Sequence, residues 1–125
     1  MTRVFVFGSN RAGRHGAGAA LYAREHHGAQ LGLGEGMSGT SYAIPTKDKH
    51  ILTLPLDQIK EHVRIFLEFA SLHPELKFDI TRVGCGLAGY TDDRIAPLFY
   101  SAPANCYFPR EWEEYYPSAT FHNLH

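Results

Sequence analysis

The chain runs four β-branched and aromatic residues together as "VFVF", Val4 to Phe7, then places Gly8, Gly13, Gly16 and Gly18 within eleven positions, ahead of an alanine-rich stretch. Apolar residues without polar alternation predict a strand buried on both faces, Arg3 to Phe7. The alanines, with Leu21 and Tyr22, predict a helix from about Gly16 or Ala17 to His27, closed by Gly28 in the C-cap role. A buried strand, a glycine loop and a helix in immediate succession belong to folds in which parallel strands are covered by helices. No other segment restricts the chain as much.

The remainder extends that pattern. Five glycines between Gly28 and Gly39 predict an irregular surface loop, and "SYAIP", Ser41 to Pro45, predicts a short strand ended by its proline. Leu54 to about His73 carries Ile59, Val63, Phe66 and Ala70 at helical spacing, with Pro55 suited to the first turn and Pro74 just past the end. "KFDITRV" alternates into a strand, "GCGLAGY" is a second glycine loop, and Thr91 before Asp92 and Asp93 reads as the N-cap of a helix to about Phe99. "ANCYF" predicts a last strand. The expected architecture is α/β: a single domain, 1–125, forming a three-layer α/β/α sandwich with a mixed, mostly parallel sheet. Ligands of such sheets bind beyond the carboxyl ends of the strands, where both glycine loops fall.

Composition limits the partners. A net charge of -1 and a pI near 6.7 give no broad surface for wrapping nucleic acid or an anionic membrane, so an anionic ligand has to be held locally. No apolar run approaches the roughly 18 residues of a membrane span. Cys85 and Cys106 form neither a disulfide framework nor a zinc spacing, and a reducing cytoplasm is the expected setting. The eight histidines are scattered without ligand spacing, so no metal is expected.

Glycines after a strand and before a helix either permit a tight turn or turn backbone N–H groups toward a phosphate at a helix N-terminus. The first loop is not a P-loop, because Arg14-His15 stand where Lys-Ser/Thr is required, nor a dinucleotide fingerprint, because Leu21 stands where its last glycine belongs. Asn10 either faces a ligand's sugar hydroxyls or caps local backbone. "GCGLAGY" is a second cradle or a plain strand-to-helix turn, with Tyr90 able to lay a ring beside a sugar or base. Lys47, just after a strand, is either a solvated charge or a nucleophile toward an electrophilic sugar carbon. Cys85 reads as packing rather than as a nucleophile, and the aromatic tail, Tyr107 to Phe121, as cover for a sheet edge or a wall for adenine. His15 reads as a packing or helix-start residue.

Asn10, "GAGAA" at Gly16 to Ala20, "PTK" at Pro45 to Lys47 and "GCGLAGY" at Gly84 to Tyr90 occur in the order found in the macrodomain superfamily. From about Val4 to Phe99 the chain resembles its lysine-dependent ADP-ribosyl glycohydrolases, and also a set of compact bacterial and phage macrodomain-like proteins. The resemblance implies a cleft for ADP-ribose, free or on DNA or protein, and no cofactor. It places Asn10 on the distal ribose and makes Lys47 the nucleophile at the anomeric carbon. The implied ligand-binding set takes Gly8 and Ser9 beside Asn10, then Gly16, Ala17 and Gly18, and Thr46 beside Lys47. From the second loop it takes Gly84, Cys85, Gly86, Leu87, Ala88, Gly89 and Tyr90. Ala88 stands where some members have an acid, and Asp92 or Asp93 then either supplies the base or caps the helix. A binder of ADP-ribose or of an NAD-derived signalling nucleotide, without catalysis, is the alternative.

Overall fold

The computed structural model describes residues 2–116 and 119–122. Strands β1 (Arg3–Asn10), β2 (Gly36–Ser38), β3 (Ser41–Lys47), β4 (Lys77–Ile80) and β5 (Cys106–Tyr107) form one sheet in the order β2-β3-β1-β4-β5. Every pairing is parallel except β2 with β3, so the fold is α/β with a mixed, mostly parallel sheet.

Alternation along β1 sorts the two faces. Val4 and Val6 join Tyr42, Ile44, Phe78 and Ile80 under helix α2 (Leu56–Leu72), whose Ile59, Val63, Phe66 and Ala70 are all fully buried. Phe5, Phe7 and Ala43 face the other way, against Ala20 and Ala23 of α1 (Gly18–His26). Helices on both faces make three layers. The α1 layer is thin, and Arg3 closes its open end by an ion pair over the buried Asp79.

Several boundaries differ from the sequence reading. The helix predicted from Gly16 or Ala17 begins at Gly18, after an extended Ala17. Gly28 has the positive φ, 71°, expected of a C-cap glycine. The segment 28–39 is not wholly irregular: Gly36–Ser38 pairs antiparallel with the β3 edge, where Ser41 Oγ also donates to the Ser38 carbonyl at 2.6 Å. Pro45 does not end its strand, because β2 reaches only Ala43 and leaves the Pro45 nitrogen with no ladder partner to serve, while a register shift between Ser9 and Asn10 carries the pairing on to Lys47.

The helix after Thr91 stays α-helical only over α3 (Asp92–Ile95) and tightens to 3-10 over Ala96–Phe99. Pro97 has no N–H to donate to the fourth residue back. The last strand is two residues, and the aromatic tail after it packs inward: Trp112 is fully buried beside Phe99, and Phe108 stacks on Tyr116 at 4.3 Å. No helix among the described residues is long and apolar enough to cross a membrane.

Candidate functional site

The carboxyl ends of β1, β3 and β4 open into a cleft of about 620 Å³, within the range typical of small-molecule sites. One wall is the end of β1 and the loop that opens α1, with Gly8, Ser9, Asn10, Arg14 and Gly16 to Ala20. Thr46, Lys47 and Ile51 form the floor on the β3 side, and Thr81 to Ala88 form the opposite wall. Pro109 and Glu111 complete the rim.

The glycines in and around the cleft are glycine for different reasons. Gly13 has φ +69° and a Cβ there would stand 2.3 Å from the Gly32 carbonyl carbon, so it is a packing requirement between two loops. At Gly34 a Cβ would meet the Asn10 carbonyl oxygen at 2.3 Å, for the same reason. Gly16 and Gly86 differ. Neither has a positive φ, neither would bring a Cβ within 4 Å of anything, and both line the cleft. Nothing within the fold demands glycine at either position.

Backbone donors collect beside them. The amides of Gly16, Ala17 and Gly18, and of Gly86, Leu87 and Ala88, have no acceptor among the described residues. The first three open α1, where the helix dipole adds partial positive charge. The second loop closes on itself through Gly89 N to Gly86 O and Tyr90 N to Gly84 O, leaving its crest unpaired. Gly18 and Leu87 meet across the gap: a Cβ at Gly18 would lie 3.7 Å from Leu87 Cδ1.

Asn10 does not extend a free amide into the cleft. Its Nδ2 donates to the Arg14 carbonyl at 2.7 Å, and its Oδ1 accepts the Arg14 amide at 3.0 Å. The side chain therefore shapes the first loop, as the local-capping alternative required. Lys47 is pinned through its backbone, its carbonyl accepting Arg11 N at 3.0 Å and its strand bridging to Thr53. Lys47 is half-buried among the cleft's lining residues and has no ion pair among the described residues.

Three of the expected residues lie outside the cleft wall. Tyr90 turns its hydroxyl to the Leu54 carbonyl, donating at 2.8 Å, and Gly89 serves the turn with φ +89°. Asp92 accepts from Arg82 at 2.9 and 2.7 Å and from the Trp112 indole at 2.8 Å. Arg82 first, then Trp112, hold its carboxyl below the ordinary aspartate range against the opposing cost of burial. The group is an anchor for Arg82 and neither a free base nor a side-chain helix cap. Burial, reinforced by Asp92, pushes the Cys85 thiol up to about 12, which matches a packing role. His15 is fully buried, its ring edge-on to Phe7 and its Nε2 at 3.0 Å from the Gln30 carbonyl, a packing residue behind the loop.

Arg14, Arg82, Ile51 and Glu111 enter the site without having been singled out in the sequence. Arg14 and Arg82 each stand beside a glycine loop at a strand end. With Lys47 they bring three cations to a cleft whose lining has one acid, Glu111, although the whole chain is at -1.

No protein-family model matches the chain, and no curated protein matches it in sequence. A solved structure described as a protein of unknown function from Bacteroides thetaiotaomicron is similar in fold, with a TM-score of 0.54, 16% identity, and 80% of this chain and 79% of that one covered. At that identity the likeness concerns the fold alone.

Proposed function

We propose that the cleft binds ADP-ribose, free or carried on DNA or protein, and that Lys47 releases it from the macromolecule. The observation that carries this reading is the pair Gly16 and Gly86, bare of side chain for no reason internal to the fold and flanked by unpartnered amides on opposite walls. Backbone that must come close to a ligand, with N–H groups to offer, is suited to a diphosphate. Arg14 and Lys47 add local positive charge that no acid among the described residues pairs with, whereas the charge of Arg82 is already matched by Asp92. The resemblance of "GAGAA", "PTK" and "GCGLAGY" to the macrodomain glycohydrolases supplies the sugar.

In the catalytic reading, the Lys47 nitrogen attacks the anomeric carbon through its lone pair. A C–N bond forms as the bond to the macromolecule breaks, and the leaving group takes the electron pair and then the proton that the alkylated Lys47 nitrogen sheds. Water later cleaves the C–N bond and returns the free amine. The amide loops hold the diphosphate while this occurs, which fixes the sugar relative to Lys47.

A reader without catalysis is favoured by one observation: Asp92, the carboxylate expected to assist, is committed to Arg82 and Trp112. Calorimetric titration with ADP-ribose, followed by release assays on ADP-ribosylated DNA and protein, separates the two. Wild type and Lys47→Ala should both bind, and only wild type should release. Binding by both with release by neither establishes the reader, and no heat at millimolar ADP-ribose rejects the ligand altogether.

A further inference from the structure

Ile51 is the only non-glycine with a positive φ among the described residues, at 65°. A β-branched side chain is the least suited to left-handed backbone, where Cβ crowds the following carbonyl. The turn that imposes this conformation is over-determined. Asp48 Oδ1 accepts the amides of His50 at 2.8 Å and Leu52 at 3.0 Å, Ile51 N donates to the Asp48 carbonyl at 3.1 Å, and Asp48 N donates to Leu52 O at 2.8 Å. Lys47 and Thr53 pair at its base, and Thr53 Oγ1 donates to the Ala88 carbonyl at 2.9 Å, tying the turn to the second glycine loop.

Glycine or asparagine would occupy that turn without strain. Isoleucine instead brings a half-buried apolar side chain into the cleft lining, on the hairpin that begins at Lys47. Strain held in place by its surroundings concentrates at ligand clamps. The neighbouring lining residues of β3, Thr46 and Lys47, are polar, so Ile51 is the apolar contact on that side.

We propose that Ile51 is a specificity residue, an apolar jaw against a ring face of the bound nucleotide on the Lys47 side of the cleft, and that the strained turn persists for this contact. The inference rests on the nucleotide reading above. It assigns Ile51 to the carbon face of the ribose whose anomeric carbon meets Lys47.

The test is Ile51→Gly and Ile51→Asn, each followed by thermal unfolding and by titration with ADP-ribose. Relief of strain should hold the melting midpoint or raise it by roughly 3–6 °C, while affinity falls about tenfold through loss of the apolar contact. A midpoint that holds or rises while affinity falls is what a residue kept only for packing would not give. Unchanged affinity overturns the proposal, and so does a lowered midpoint, since Ile51 would then be stabilising the fold. If wild type itself takes up no ADP-ribose, the nucleotide reading fails and this inference fails with it. Binding by wild type and by both variants alike removes the role of Ile51 alone.

Discussion

The side-chain amide of Asn10 closes on the backbone of Arg14 from both sides, donating to its carbonyl at 2.7 Å and accepting its amide at 3.0 Å. This pair sets the path of the loop that delivers Gly16 to Gly18 to the cleft. Asn10→Ala leaves both Arg14 groups without their partner and should cost about 1–2 kcal/mol in urea unfolding. Binding of ADP-ribose should weaken beyond what that loss of stability explains, because the loop amides lose their arrangement. An affinity equal to wild type would mean that the loop holds its shape by other means.

Gly16→Ala and Gly86→Ala separate conformation from ligand approach. Neither added methyl meets an atom of the fold, so each variant should be as stable as wild type or more so by a few tenths of a kcal/mol. Each should nonetheless bind ADP-ribose at least about tenfold more weakly, a loss of about 1.4 kcal/mol. Gly13→Ala, by contrast, should destabilise the fold itself, since its Cβ would collide with the Gly32 backbone.

Asp92 links the second loop to acidity. Its carboxyl is held below the ordinary range by Arg82 first and then by Trp112, so it contributes stability at and above the unfolded-state value near 4, which is lost as pH falls through the lower folded value. Asp92→Asn should therefore cost about 1 kcal/mol at pH 7, modest because solvent screens the exposed side of Arg82. The gap between wild type and variant should close below about pH 4. A gap independent of pH would assign the effect to packing against Trp112.

Cys85 is protected by its chemistry as well as its position. With its thiol raised to about 12 by burial and by Asp92, almost none is thiolate at pH 8. Iodoacetamide should alkylate it on the order of a thousandfold more slowly in the folded chain than in urea. Cys106, also pushed up to about 12 by burial, should behave alike. Rapid labelling of folded Cys85 would reopen it as a nucleophile.

The fold was legible wherever side chains carry a period. β1, β3, β4 and α2 lie where apolar runs and spacing put them, because Val4, Ile44, Phe78 and Phe66 are core residues. β2 was not, since Gly36 and Ser38 have no apolar pattern and the strand exists through the exposed edge of β3. The shortening of α3 depended on Pro97, which the N-cap signal at Thr91 outweighed in the sequence reading.

The position of the cleft was legible for a topological reason: two glycine loops follow two parallel strands that both flank or include β1. What individual residues do there was not, because it depends on partners far along the chain. Gly13 answers to Gly32, Asp92 to Trp112, and Tyr90 to Leu54. Ile51 lies at the opposite extreme, as its residue type argues against the conformation it adopts.

Where a cleft's donors are main-chain N–H groups, alanine substitution reaches them only indirectly, through an added methyl at a glycine or a change in the loop's path. Ala17 and Ala88 are already alanine, and truncating Leu87 leaves its amide where it was. An ester bond in place of a single amide would delete a donor outright, which proline at position 17 would not do cleanly, since Ala17 is extended at φ -156°. The same property makes the shape of the cleft tolerant of drift in side-chain identity, since the spacing of the glycines and the path of the backbone carry the donors.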